Sequence, residues 1–170
     1  RYTVNIQDDN LQTLYPKVTQ AFISHGKDLS IRRDLYQSVI DIGYELPILV
    51  SPQSTVSPHV KMAAGTLVVH NATINAASKI GSNVIVNTGA IIEHDTVIGN
   101  HTHIAPGAVI CGEVRVGDMT LIGANSVIIP GVSIGNNVVV GAGSVVVNNI
   151  DNNTCVAGNP ARPIPRADRG

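Results

Sequence analysis

The sequence predicts an all-β fold, a triangular parallel β-helix of six-residue repeats preceded by a small, incomplete α/β segment. Three observations carry this reading. Counting in sixes from Val50 to Val146, all seventeen positions are aliphatic or Met, and no insertion breaks the phase. Four residues after each of them stands a small or β-branched residue, such as Ser54, Thr66, Ala72, Ser78, Thr96 and Ser144. Hydrophobic content is 44% but aromatic content only 3%, with no Trp and one Phe, so the core must be narrow and filled by aliphatic side chains.

The elements follow in order. Residues 1–20 carry too little pattern to assign. Residues 21–50 read as strand, helix, strand. "AFISHG" is a short apolar run, Ser30 is a plausible N-cap, and Ile31, Leu35, Val39 and Ile40 recur at helical spacing up to a stop at Gly43. "ELPILV" is the next strand.

From Val50 onward the pleat explains the repeat. In a triplet such as Thr96-Val97-Ile98 the outer two residues share one face and point inward, while the middle one points out. The three residues before the next triplet turn a corner. Gly81, Gly99, Gly117, Gly123, Gly135 and Gly141, with Asn75 and Asn87, follow the aliphatic position, where their tolerance of positive φ is expected to serve the turn. Three corners close a coil of about eighteen residues, and coils stack ~4.8 Å apart, so residues n and n+18 lie one above the other. After Asp151 the phase ends. "CVAGNPARPIP" is expected to close the open end, with Pro160, Pro163 and Pro165 blocking further strand pairing. The chain thus divides into residues 1–49, 50–151 and 152–170.

The formal net charge is −1 and the pI about 6.6, which gives no reason to expect nucleic acid or an anionic membrane as partner. No apolar run approaches the ~20 residues of a membrane helix, and no signal-peptide pattern opens the chain. Two cysteines, Cys111 and Cys155, make no disulfide framework, and a reducing cytoplasm is the expected setting.

Polar and chargeable groups concentrate in "NTGAIIEHDTVIGNHTHIAPGA". His94 occupies a corner in the middle of the prism and is followed by Asp95. The n+18 rule puts Gly112 directly above it, which leaves room for a small ligand group and offers a backbone N–H as an oxyanion donor. The alternative is a solvated corner histidine, and Asp95 reads equally as a cap of backbone amides. His103 points outward from the next face and cannot reach His94 by stacking, so joint action needs a subunit boundary or a bound ligand. His59, His70 and His101 read as solvated polar residues, Glu93 as structural, and Cys111 as a small corner filler. Asn87 reads as a stacked-corner residue or a substrate contact.

The unbroken repeat, together with "IIEHDTVIGNHTHIAPGA", "IGAGSVVV" and "VAGNPAR", resembles the sialic acid O-acetyltransferase and nucleotide-amino-sugar N-acetyltransferase family, which includes the enzyme of bacillosamine biosynthesis. The similarity spans residues 20–165, and "EHD" followed eight residues later by His103 is its most specific part. The resemblance implies a left-handed winding and a homotrimer, with acetyl-CoA as co-substrate in the groove between adjacent prisms and no metal. It implies that His94 is the general base, that Asp95 orients the imidazole, and that His103 and Gly112 face the acetyl thioester. Residues 1–49 then serve a nucleotide-linked amino sugar. Here the family's opening strand and Gly-rich turn have no counterpart, and Asp8 and Asp9, with the later strand–helix–strand, are what match. The expected reaction is acetylation of the sugar's amino group. O-acetylation of sialic acid or another sugar, a γ-carbonic-anhydrase-like zinc enzyme, and a non-catalytic trimeric sugar-binding scaffold are the alternatives.

Overall fold

The computed structural model describes residues 11–15 and 17–165. Its main body is a left-handed parallel β-helix whose two-residue strands recur every six residues from Leu49–Val50 to Val145–Val146. Partners lie eighteen residues apart throughout, as in Leu49↔Leu67, Ile91↔Val109 and Val97↔Arg115. The strands form three faces. The first runs from Leu49–Val50 to Val139–Val140, the second from Thr55–Val56 to Val145–Val146, and the third from Lys61–Met62 to Ser133–Ile134.

The inward aliphatic stack is dry. Ile74, Ile92, Ile104, Ile110, Ile122 and Ile128 are all fully buried, each worth roughly 2 kcal/mol of apolar burial. The small inward slot admits hydroxyls because the next coil supplies an acceptor. Thr66 Oγ1 donates to the Gly81 carbonyl at 2.8 Å, Thr102 Oγ1 to Gly117 at 2.8 Å, and Thr120 Oγ1 to Gly135 at 2.9 Å.

The corners turn differently from expectation. From Met62 to Val140 the left-handed residue is the third after the aliphatic position, as at Asn71, Asn83, Gly89, Asp95, Gly107 and Asn125, and not the first. The glycines at the first slot answer to crowding instead. A Cβ on Gly81 would lie 2.8 Å from the Asn100 nitrogen, and one on Gly117 2.7 Å from the Gly135 carbonyl carbon. The coils are too close there for a side chain.

Outward residues differ between faces. The first face presents Leu49, Leu67, Ile85, Leu121 and Val139 around His103, and the second presents Ile91, Val109, Val127 and Val145. The third presents Lys61, Lys79, Arg115 and Ser133 about Val97.

The flanks bring further corrections. A short helix α1 (Leu11–Leu14) precedes α2 (Leu29–Ile42). The N-cap of α2 is Asp28, whose carboxylate accepts from Ser30 N–H at 2.8 Å and Ile31 N–H at 3.2 Å. Ser30 falls inside the helix because Asp28, two residues earlier, already satisfies those donors. Gly43 at φ 107° ends it as expected. The buried stripe is Arg32 and Val39, with Leu35 and Tyr36 beside them, while Ile31 and Ile40 are exposed. "AFISHG" forms no strand beyond a parallel bridge between Gln20 and Glu45, and "ELPILV" splits, its Leu49–Val50 joining the first face. Ile23, Val39, Tyr44 and Leu46 form a small second core there.

At the far end the repeat shortens by two residues: Ile134 bridges Ile150 and Val140 pairs with Val156. Cys155–Ala157 extends the first face, and Arg162–Pro163 folds back antiparallel on it. Pro163 therefore does pair, as an edge residue, where its missing N–H costs nothing. No helix among the described residues is long and apolar enough to cross a membrane.

Candidate functional site

The corner between the second and third faces carries, coil by coil, Ala76, His94, Gly112 and Pro130 at the same slot. Stacking over Gly112 is direct. A Cβ there would lie 2.8 Å from both Cε1 and Nε2 of His94, so the imidazole itself fills the space that the absent side chain leaves. No gap for a ligand remains between them, contrary to expectation, and a ligand must approach from outside the corner. Glu113 N–H donates to the His94 carbonyl at 3.0 Å and ties the two coils together.

His94 Nδ1 donates to Asp95 Oδ2 at 2.9 Å, because the carboxylate can only accept. That bond leaves Nε2 as the unprotonated nitrogen of the neutral ring. It is also the main reason the imidazole is held above its ordinary value, burial opposing it next in size and the charges of Asp95, Glu93 and Glu113 adding smaller support. Both side chains are more than half exposed. Asp95 itself stands at φ 57°, a conformation Asp tolerates better than most residues.

The Gly112 N–H donates to no described group. The side chain of Pro130, one coil above, carries no acceptor for it. Cys111, beside it, is kept protonated by burial and by Glu93, which makes it a poor nucleophile. Glu93 is structural in the sense expected, its Oε2 accepting from Asn75 Nδ2 at 2.8 Å.

His103 lies on the first face, the side of the triangle opposite the His94 corner, so within one chain the two histidines do not meet. Burial lowers its pKa. Thr88 N–H donates to Asn87 Oδ1 at 2.8 Å, which directs Asn87 Nδ2 to His103 Nε2 at 3.1 Å. Asn87 is thus a partner of His103, and Asp8 and Asp9 lie outside the described residues.

His101 is not the solvated residue expected. It is half-buried, its Nδ1 bonded by Asn83 Nδ2 at 3.0 Å and its ring edge-on to Tyr36 at 5.2 Å, and burial lowers its pKa. His70 is exposed, with Nδ1 2.7 Å from Ser51 Oγ. Arg32, buried at 1% exposure, was missed from sequence. Its signal was its place, the one charged residue on the otherwise apolar i, i+3, i+4, i+7 stripe of Arg32, Leu35, Tyr36 and Val39. Among the described residues no group of three or more His, Cys, Asp or Glu could hold a metal ion.

A cleft of about 540 Å³ opens further along the prism, between Val146–Asp151 and Arg162. It is not at His94, because a single convex corner has no second wall.

The family model for bacterial transferase hexapeptide (six repeats) matches residues 77–112 and again 113–148. The chain is similar to PerB of Caulobacter crescentus, solved with CoA and GDP-perosamine, at 34% identity and TM-score 0.91 over 93% of this chain and 76% of that one. It is similar to the acetyltransferase domain of PglB from Neisseria gonorrhoeae, solved with acetyl coenzyme A, at 34% identity and TM-score 0.90 over 96% and 82%. It is also similar to WeeI of Acinetobacter baumannii, at 27% identity and TM-score 0.78 over 81% and 67%. No curated protein matches the chain.

Proposed function

The chain belongs to the hexapeptide-repeat, acetyl-CoA-dependent sugar acetyltransferases, and we propose from that premise that it acetylates an amino group of a nucleotide-linked amino sugar by direct attack. The observation that carries the reading is the His94–Asp95 pair lying against Gly112, whose N–H is uncommitted. The acceptor nitrogen attacks the thioester carbonyl carbon, its proton passes to His94 Nε2, and the C–S bond breaks to release CoA. Asp95 holds the imidazole in the tautomer that exposes Nε2. The Gly112 N–H faces the oxygen on which charge develops, a donation worth about 3 kcal/mol in comparable sites. A base at this position contributes typically ~10²–10⁴-fold.

The assembly proposed is a homotrimer. Two faces present aliphatic rows and the third charged ones, so the first face of one copy suits the second face of the next, and a three-fold ring closes that contact. In such a ring the His94 corner of one copy comes beside the first-face margin of its neighbour, where His103 and segment 23–26 lie. The open corner then gains its second wall: acetyl-CoA runs from His94 along the coils beyond it, and segment 23–26, at the Ile85 level, faces the acceptor side. Asn148 stands three coils beyond His94 on that corner, about 14 Å along the prism, and the cleft bearing Arg162 beside it suits the anionic end of CoA. Residues 50–151 serve the donor and the chemistry, residues 1–49, with Asp8 and Asp9, serve the acceptor, and residues 152–170 cap the end. The setting proposed is the cytoplasm, which suits two unpaired cysteines.

The test is release of the CoA thiol from acetyl-CoA with GDP-, UDP- and dTDP-linked amino sugars, set against sialic acids. Turnover with an amino sugar supports the reading. Turnover with sialic acid alone would replace it by O-acetylation, and none with any acceptor, without acetyl-CoA binding, would leave a scaffold.

A further inference from the structure

Arg32 is the charged side chain buried among the described residues that acyl transfer does not use. No described carboxylate lies within ion-pair distance of it, and burial pushes its pKa down to about 10, so it stays a cation at neutral pH. A buried charge without a counter-ion is costly, and space alone would be filled better by an apolar residue. What its guanidinium does is collect carbonyls. Nη1 donates to Ile23 at 2.6 Å and to His25 at 3.0 Å, and Nε donates to Asn83 at 3.2 Å. Two of these acceptors belong to segment 23–26 and the third to a corner of the prism. A planar fork reaches all three, where a lysine offers one compact donor. Asn83 closes the joint from the prism side, its Nδ2 donating to the Arg32 carbonyl at 3.3 Å.

The clamped segment meets the first face at Gly26. A Cβ there would touch Ile85 Cδ1 at 3.4 Å, and the Gly26 backbone lies close enough to the His103 ring to favour its charged form against the larger, opposing effect of burial. His103 is in turn held by Asn87, itself directed by Thr88. A continuous chain of contacts therefore runs from Arg32 through segment 23–26 to the first face at Ile85 and His103.

We propose that Arg32 is a positioning residue for the acetyl acceptor: by binding the Ile23, His25 and Asn83 carbonyls it clamps segment 23–26 over His103 and sets the wall an acceptor meets. This rests on the reading that the His94 corner of a neighbouring copy works against that margin. The clamp bears on the acceptor and leaves the donor groove alone.

The full chain is compared with Arg32→Lys, which keeps the charge and loses the fork, and Arg32→Met, which loses both. Amide hydrogen exchange of residues 23–27 is expected to accelerate by about tenfold or more in each variant, with the prism strands unchanged. Acetyl-CoA affinity, measured by calorimetry, is expected to stay within about twofold, while acceptor KM with a nucleotide-linked 4-amino sugar rises about tenfold and kcat falls less than about threefold. Unchanged exchange in the folded variants overturns the clamp, whether or not the chain acetylates anything. Faster exchange with unchanged acceptor KM overturns the positioning role. Wild-type protein that binds no acetyl-CoA overturns the reading beneath the proposal, and the exchange data tell that failure apart. If Arg32→Met does not fold, Arg32→Lys and Asn83→Ala carry the test.

Discussion

At the corner between the third and first faces, Asn100, Asp118, Asn136 and Asn152 stand one above another. Each takes the backbone N–H of the residue one coil earlier: Ser82 to Asn100 at 2.9 Å, Asn100 to Asp118 at 2.6 Å, Asp118 to Asn136 at 2.8 Å and Asn136 to Asn152 at 2.7 Å. At the corner between the second and third faces the same slot holds Ala76, His94, Gly112 and Pro130, and the N–H groups of His94 and Gly112 donate to no described group. The coil geometry of the two corners is the same. What differs is one side chain per coil, and that choice decides whether a turn amide is bonded within the fold or left open. The structural corner and the one proposed to be reactive are therefore the same turn with its acceptors present or withdrawn.

The comparison breaks most sharply at His94. His94→Ala is expected to lower kcat by roughly 10²–10⁴-fold, with little change in melting temperature, because the ring lies outside the aliphatic stack. Steady-state kinetics beside a thermal melt decide it, and near-full turnover at neutral pH would move the base elsewhere.

Pro130→Asn rebuilds the ladder at the reactive corner by setting an amide oxygen over the Gly112 N–H. If that N–H serves the oxyanion, kcat is expected to drop by about 10²-fold while stability holds or rises. Turnover equal to wild type would mean that the open amide has no part in the reaction.

Asp95→Asn sharpens the comparison through pH. Only neutral His94 accepts a proton, so activity rises with pH through its ionisation, above the ordinary 6.5 because Asp95 raises it. Removing that carboxylate should move the midpoint of the limb down and lower kcat by about tenfold, through a less defined tautomer. A limb that stays in place points to the acceptor amine as the titrating group.

The smallest effect belongs to the structural corner. Asn136→Ala removes the acceptor of the Asp118 N–H, and is expected to cost about 1 kcal/mol, a few degrees in Tm, with kcat unchanged. Loss of activity without loss of stability there would erase the distinction between the two corners.

The sequence by itself determined the coil, its three faces and the pairing of His94 with Gly112. These follow from local periodicity, and an unbroken six-residue phase makes every n, n+18 neighbour predictable. It also located the end of α2 at Gly43, because a left-handed cap is a property of one residue. The slot of the left-handed residue was not legible in composition alone. Gly and Asn crowd both the first and third turn positions, one set for want of space between coils and the other for φ, and only the stacked backbone separates those reasons. The burial of Arg32, His101 and His103 was decided by the tertiary structure alone. Each depends on where segment 23–26 and α2 settle against coils 50 or more residues away, as in the Arg32–Asn83 bond across 51 positions. No periodicity encodes such a docking, since it is set by which carbonyls a guanidinium can gather once the prism already exists.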